Sequence, residues 1–298
     1  WRYLVYSFGL GLTESSKQQY ADLCCKKLNC LGFINAPSVK TFKASTNPSF
    51  INDDRTLNTE YLKLGGDDTK NPSFLYTFAE GVGRSTIGYF FPYLTINDNG
   101  APKDVPPAAW VATTYMRKFT TTQSGIQPWT ICAGINDGRI TNIAGAEMDF
   151  TDTDLENLYS MGLNPIVKKR NVGYCIETVS TAQVFPYSSL SIIHSREVLI
   201  ELENALYDML LRYQWRFNTP EVRSEIKYRA DKICKDIQDR SGLYDFRNVC
   251  DESNNTNYII DLQMGVLDTY IEIVKGMGII VNNITILKKG DIESGGFA

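Results

Sequence analysis

One histidine stands in the whole chain, His194. Any Ser-His-Asp or Cys-His nucleophilic arrangement must use it. Ser195 follows at once, too close in sequence to be its nucleophile in a familiar geometry, and no G-x-S-x-G elbow occurs. His194 therefore reads as a surface or cap-adjacent residue at the head of a helix. A second pattern, Gly9-Leu10-Gly11, follows an expected strand and precedes an expected helix, the context of a dinucleotide fingerprint. Its third glycine position holds Glu14, an anion where a pyrophosphate would sit. The next strand ends in Asn35, where such a site wants a carboxylate for the ribose. A plain tight turn is the better reading. A third pattern is the acidic run Glu147, Asp149, Asp152, Asp154 and Glu156. It lacks the glycine and terminal bidentate glutamate of a calcium loop, and acids in a first helical turn follow from the helix dipole. Asp53-Asp54 and Asp67-Asp68 read as solvated loop charges, and Gly81-Val82-Gly83-Arg84 as a turn.

The seven cysteines (Cys24, Cys25, Cys30, Cys132, Cys175, Cys234, Cys250) are odd in number and irregular in spacing. Without paired C-x-x-C spacing they read as reduced structural thiols of a cytosolic environment. The sequons at Asn254 and Asn283 carry no weight without a secretory signal. No catalytic, cofactor-binding or metal site is expected.

Composition agrees. In 298 residues, 43% are hydrophobic and 21% charged, with a net charge of -4. That gives no basic field for nucleic acid. No apolar run approaches the roughly 20 residues that span a bilayer. One compact body of this length would bury roughly 75% of its unfolded surface, although the length also allows two domains. The chain opens on Trp1, in mid-strand, and is expected to be a piece of a longer protein.

The elements that would position these groups are more informative. Arg2–Phe8 reads as a strand, Thr13–Leu28 as a helix and Leu31–Ile34 as a buried strand, implying a parallel pair with a right-handed crossover. Residues 41–80 read as a polar insertion, and Thr86–Leu94 as an aromatic-rich strand. Pro106-Pro107 gives an extended entry to a helix whose Ala108 and Ala112 let it lie close to a sheet. Gln127–Ile140 is turn-rich. Thr151–Met161 reads as a short helix, with Thr153 and Glu156 at capping-box spacing and Gly162 at its stop. A strand region follows over Ile166–Val179. Val198, Leu202, Ala205, Leu206, Met209, Leu210 and Tyr213 then recur at three- and four-residue spacing, the mark of an amphipathic helix of about five turns. Its span is Ser195–Phe217, with Ser195 the expected N-cap. Thr219-Pro220-Glu221 restarts a second helix to Gln238 with an N-cap, a first-position proline and an early acid. Val266–Val274 and Ile279–Leu287 read as strands. The expected class is α/β (α+β overall): a Rossmann-like α/β domain over 1–162, then a mixed-sheet domain with two long helices over 163–298.

Several landmarks in order resemble the contractile tail sheath protein family of bacteriophages. They are the helix–strand stretch Tyr20–Pro37, Phe90-Phe91-Pro92-Tyr93, the Pro106-Pro107-Ala108 helix start, Pro128-Trp129, Ala133-Gly134 and Gly138-Arg139-Ile140. Leu163-Asn164-Pro165-Ile166, the helix begun by Arg196, the Phe217-Asn218 corner and Val249-Cys250-Asp251 with Asn257 continue the series. Glu177-Thr178-Val179-Ser180 and Ala112-Thr113 depart from the family pattern, as in a divergent member. The resemblance implies a subtilisin-like α/β first domain without the protease's catalytic residues, then a C-terminal sheath domain. It also implies a virion protein, assembled in the bacterial cytoplasm, that stacks with itself as hexameric rings in a helix. Its partners would be an inner tail tube, baseplate proteins and a tail terminator, with no cofactor, nucleic acid or membrane-spanning segment. A bacterial contractile injection system or tailocin sheath would share the same core. Family members join neighbours by strand exchange, and the candidate strand here is Ile279, Ile280, Val281, Ile284, Thr285, Ile286 and Leu287.

Overall fold

A computed structural model describes residues 3–5, 20, 23–24, 26, 29–36, 85–118, 127–160, 162–183 and 187–278. The glycine turn at 9–11, most of the 13–28 helix, the polar insertion, Gly81–Arg84 and the 279–287 strand lie outside the described residues.

A five-stranded sheet organises the first part of the chain. Strands β1 (Tyr3–Val5), β2 (Leu31–Asn35), β3 (Ile87–Phe91) and β7 (Leu163–Lys169) pair in parallel in that order, and β8 (Gly173–Ile176) adds antiparallel to β7. Every residue of β2 and β3 is buried. That suits central parallel strands covered on both faces. The expected parallel β1–β2 pair is present. The expected boundary at residue 163 falls just before β7, so this sheet takes strands from both sides of it.

The long strand expected over Thr86–Leu94 is two strands, because Pro92 offers no N–H to a ladder. After β3, the chain turns into β4 (Leu94–Asp98) and β5 (Ala101–Val105), a hairpin that carries the two-residue strand β6 (Gly145–Ala146) on β4. Asn99 and Gly100 both take positive φ at its tip (52° and 88°), as a two-residue primed turn requires. Helix α1 (Ala108–Arg117) follows Pro107, and Ala108 and Ala112 are buried as expected. A four-residue helix, α2 (Gly134–Asp137), interrupts the turn-rich segment.

Helix α3 (Asp152–Ser160) ends at Gly162, which takes φ 72°. Its capping box differs from the expected Thr153/Glu156 pair. The Thr151 hydroxyl accepts from the Asp154 amide at 3.3 Å, and the Asp154 carboxylate accepts from the Thr151 amide at 2.9 Å. The motif sits two residues earlier because Asp154 is buried and can reach back.

Two long helices follow, α4 (Ile193–Leu210, extended by a 3-10 turn at Leu211–Tyr213) and α5 (Pro220–Asp239). The corner between them is as expected: Thr219 caps α5 by accepting from the Val222 amide, and Pro220 takes the first turn. The start of α4 is not as expected. Ser195 is no cap. A capping box sits upstream at Ser188/Ser191, on a 3-10 turn over Ser189–Ser191. The helix begins at Ile193, burying His194, Ser195, Arg196 and Glu197. Strands β9 (Leu243–Val249) and β10 (Asp268–Ile273) pair antiparallel beside α5, joined through the short helix α6 (Asn257–Asp261). Among the described residues β9 and β10 form an antiparallel ribbon of their own, while β7 and β8, also beyond residue 163, belong to the mixed five-stranded sheet.

Three asparagines hold the connections. The Asn35 side chain accepts from the Ala108 amide at 2.7 Å and so caps α1. Asn164, fully buried, donates to the carbonyls of Tyr89 and Ser180 and accepts from the Ser180 amide at 2.6 Å. Asn255 donates to the Val266 carbonyl at 2.9 Å and accepts from the Val266 amide at 2.8 Å, closing the loop between β9 and β10. Each satisfies backbone groups away from water that would otherwise cost about 1–3 kcal/mol apiece.

The cores meet along α4. Ile193 and Ile200 join Phe33, Phe90, Val111 and Ile176 in the core around the first sheet. Val198 and Leu202, on another stripe, join Trp129, Cys234, Ile237 and Leu243 in a second core beneath β9 and β10. Trp129 ties the turn-rich segment into that second core. It is buried, its Nε1 donates to the Arg240 carbonyl at 3.2 Å, and the Arg240 guanidinium lies 5.0 Å from its ring centre.

Candidate functional site

The residues with chemical potential hold the fold together. His194 is not at the surface: it is 6% exposed, because α4 starts two residues earlier than expected and turns the ring inward. Its Nε2 donates to the Val274 carbonyl at 3.1 Å, while Nδ1 is buried with no hydrogen-bond partner among the described residues. Burial holds its pKa below the usual histidine value. The imidazole is thus kept neutral and pinned to the chain just after β10.

Glu197 faces Lys118, at the C-terminal end of α1, at 2.6 and 2.7 Å, and accepts from the Tyr3 hydroxyl at 2.5 Å. The two charged side chains are 0% and 4% exposed. The Lys118 ammonium also lies 4.8 Å from the Tyr115 ring centre. This pair joins β1, α1 and α4 in the buried interior.

Cys132, Cys175, Cys234 and Cys250 are buried free thiols. Burial pushes the Cys132 thiol up to about 12 and raises Cys175, Cys234 and Cys250 as well. These sulfurs stay protonated at neutral pH and are poor nucleophiles. Of the acidic run, Asp154 is spent on the α3 cap. Among the described residues no group of three or more His, Cys, Asp or Glu side chains could hold a metal ion. Asn35, at the position of the ribose carboxylate in a dinucleotide fold, caps α1 instead. No described helix is long and apolar enough to cross a membrane.

What the molecule does offer is surface. Among described residues, apolar and aromatic side chains at least 60% exposed fall, apart from Tyr187, between residues 207 and 277. Tyr207, Trp215, Phe217, Tyr228, Tyr244, Tyr258, Tyr270 and Met277 all belong to the part built on α4, α5, β9 and β10. The β9–β10 ribbon turns Leu243, Phe246, Ile271 and Ile273 toward the second core and leaves Tyr244 and Tyr270 outside. Each strand pairs only with the other among the described residues, so each keeps a lateral edge. A shallow groove of about 600 Å³ lies between α5 and β9, lined by Lys227, Tyr228, Lys232, Lys235, Phe246 and Arg247 among others. The sequence-expected strand residues Ile279, Ile280, Val281, Ile284, Thr285, Ile286 and Leu287 lie outside the described residues. The chain approaching them is held at Val274, whose amide donates to the Gly242 carbonyl at 3.2 Å and whose carbonyl accepts from His194.

No family model matches the chain. Two curated relatives do. The tail sheath protein of Vibrio phage KVP40 is 30% identical over 159 residues, 53% of this chain and 23% of the relative. The tail sheath protein of Enterobacteria phage T4 is 26% identical over 192 residues, 64% of this chain and 28% of the relative. The chain thus spans about a quarter of the length of these relatives. Among solved structures, the helical sheath of the anti-feeding prophage in its contracted state aligns with a TM-score of 0.66. That alignment covers 92% of this chain and 68% of that one at 12% identity. The contracted sheath of an extracellular contractile injection system (PVC) aligns at 0.61, covering 74% and 58% at 15% identity. In sequence the chain is similar to phage tail sheath proteins over part of their length, and its α/β fold is that of the contractile sheath structures.

Proposed function

We propose that this chain is part of a structural subunit of a contractile tail sheath. The subunit polymerises with itself as stacked hexameric rings around an inner tube. It contracts to drive that tube through a host envelope. The likeness to sheath proteins in both sequence and fold carries this reading. The interior, whose described titratable groups are spent on packing, and the aromatic outer surface beyond residue 207 support it. A sheath of a bacterial contractile injection system is the second reading, favoured by the solved structures that share the fold. Neither reading assigns catalysis to the chain.

Such an array needs heterologous contacts, which do not close on themselves and so generate a helix. The lateral edges of β9 and β10 suit strand addition. Backbone hydrogen bonds then supply affinity, and the period-two alternation of side chains supplies register. The segment containing Ile279, Ile280, Val281, Ile284, Thr285, Ile286 and Leu287 is the proposed exchanged strand. Contraction is then a passage between two packings of near-rigid subunits, with the mesh of strands kept intact. The other proposed partners are the tube protein, baseplate proteins and a tail terminator, in a virion assembled in the host cytoplasm.

Truncation tests the reading. The protein truncated after Val281 is expected to stay folded and soluble but form no tubes by negative-stain electron microscopy. Striated tubes of normal length from that variant would refute strand exchange through this segment. Failure of the intact protein to form tubes under any condition would refute the sheath role.

A further inference from the structure

The chain leaves β10 through a strap, Val274–Gly278, that is fastened to the ribbon, to α4 and to the turn-rich segment. The Val274 amide donates to the Gly242 carbonyl at 3.2 Å, and the Val274 carbonyl accepts from His194 Nε2 at 3.1 Å. Two residues on, a Cβ at Gly276 would stand 2.3 Å from Ile131 Cδ1, so bare backbone lies against that side chain. Beyond this contact Met277 is 87% exposed. Just upstream of the strap, the β9–β10 ladder shifts register between Glu272 and Ile273. A break there lets the last residues move without unzipping the rest of the ladder.

One of the three fastenings can titrate. The His194 ring donates to a carbonyl through Nε2, so Nδ1 carries the free lone pair. Nδ1 is buried, and among the described residues a proton added there finds no acceptor. The charged groups around the ring do not favour a cation. Lys118, on α1, has the same sign. Glu197, one turn along α4, is already engaged by Lys118 and the Tyr3 hydroxyl. On β10 and the strap, Glu272 and Lys275 are exposed, and the stretch Trp129–Ala133, which Gly276 touches, carries no charged residue. An imidazolium is accommodated here only by letting water reach the ring. Moving α4 to do so would disturb two cores. Lifting the strap costs two hydrogen bonds and one backbone contact.

We propose that Val274–Gly278 is an acid-released strap: neutral His194 holds it closed, and protonation of that ring lifts it while both cores stay intact. This stands apart from the sheath reading and survives its failure. Under that reading the strap leads straight into the segment assigned to exchange, so mild acid would free the root of that strand. The size of the effect follows from linkage. A hydrated histidine titrates near 6.5, whereas burial disfavours the proton in the closed form. The closed form is therefore fully favoured above about pH 6.5, and the open form gains on the order of tenfold between pH 7.5 and 5.5.

The test is hydrogen exchange read by mass spectrometry on the full-length, unassembled protein at pH 7.5 and 5.5, with protection corrected for the intrinsic pH dependence of exchange. At the lower pH the parent is expected to lose protection over Val274–Gly278 on the order of tenfold, while the strands Leu243–Val249 and Asp268–Glu272 keep theirs. His194→Gln keeps a donor for the Val274 carbonyl but cannot titrate, and is expected to hold the strap equally at both values. His194→Asn, the shorter amide, is a second non-titrating form should the glutamine variant not fold. A parent strap whose protection falls less than about threefold would overturn the proposal. So would an equal loss in the non-titrating variant, which would place the sensor elsewhere. Loss that spreads in step through β9 and β10 would also overturn it, since that is unfolding rather than release.

Discussion

Removing the Lys118 ammonium while leaving Glu197 in place is the sharpest test of how the described core is held. Glu197 is fully buried, Lys118 is 4% exposed, and both carboxylate oxygens lie within 2.7 Å of the ammonium. Solvent cannot replace the lost partner. In Lys118→Met the carboxylate keeps the Tyr3 hydroxyl at 2.5 Å as a donor but loses its buried cation. The expected loss is about 3–5 kcal/mol, the usual result of breaking a buried pair from one side. That is a large part of the roughly 5–15 kcal/mol that holds an ordinary domain. Glu197→Leu should cost a similar amount by stranding the ammonium. The double variant Lys118→Met/Glu197→Leu removes both charges together and should lose only about 1 kcal/mol, mostly the Tyr3 hydrogen bond. Urea unfolding followed by tryptophan fluorescence and far-ultraviolet circular dichroism gives the three differences. If the double variant loses the sum of the two single losses, the side chains do not act as a buried pair and the argument fails.

Two further outcomes follow from the same packing. Burial lowers the His194 pKa, so the folded state binds fewer protons than the unfolded chain, whose histidine titrates near 6.5. The contribution is complete above about pH 6.5 and declines as the pH falls below it. His194→Gln keeps a donor for the Val274 carbonyl but cannot titrate. Its urea midpoint should therefore drop less than the parent's between pH 7.5 and 5.5, and equal drops would refute the assignment. At Gly242 a Cβ would stand 2.6 Å from Ile237 Cγ2 and 3.0 Å from Trp129 Cε2, whereas at Gly265 it would meet nothing within 4 Å. Gly242→Ala is expected to cost about 1–3 kcal/mol and Gly265→Ala less than about 0.5 kcal/mol, read from denaturant midpoints. Equal effects would refute the close packing of Trp129 on the turn into β9.

The elements easiest to read in the sequence are those whose signals are local. The α4–α5 corner follows from Thr219-Pro220-Glu221, and the stop of α3 from Gly162, because caps act within one turn of the backbone. The β4–β5 hairpin also had a local signal, Asn99-Gly100, but the aromatic run before it read as one strand. The buried start of α4 had none. Four consecutive polar residues, His194 to Glu197, look like the solvated head of a helix. Their burial depends on Lys118, Tyr3 and Val274, residues between 79 and 194 positions away in sequence. The turn at Trp215 was visible only as a cap, because the exposure of Trp215 and its positive φ are properties of the folded chain. The strand assigned to exchange between subunits lies beyond the described residues and rests on the resemblance alone.

The placement of α4 bears on how such a subunit could change its packing. One stripe of the helix, with Ile193 and Ile200, completes the core of the five-stranded sheet, while Val198 and Leu202 complete the core beneath β9 and β10. Sliding either core against the other would expose buried side chains on this one helix at about 1.5–3 kcal/mol each. The Lys118–Glu197 pair and the His194–Val274 bond cross the same seam and would break as well. Rearrangement inside the described unit is therefore costly. The Trp215 corner and the lateral edges of the ribbon lie outside both cores, where contacts can be exchanged without disturbing either. On the proposed sheath reading, a switch between two arrays is best placed in the contacts between subunits, with α4 as the rod that moves both cores together.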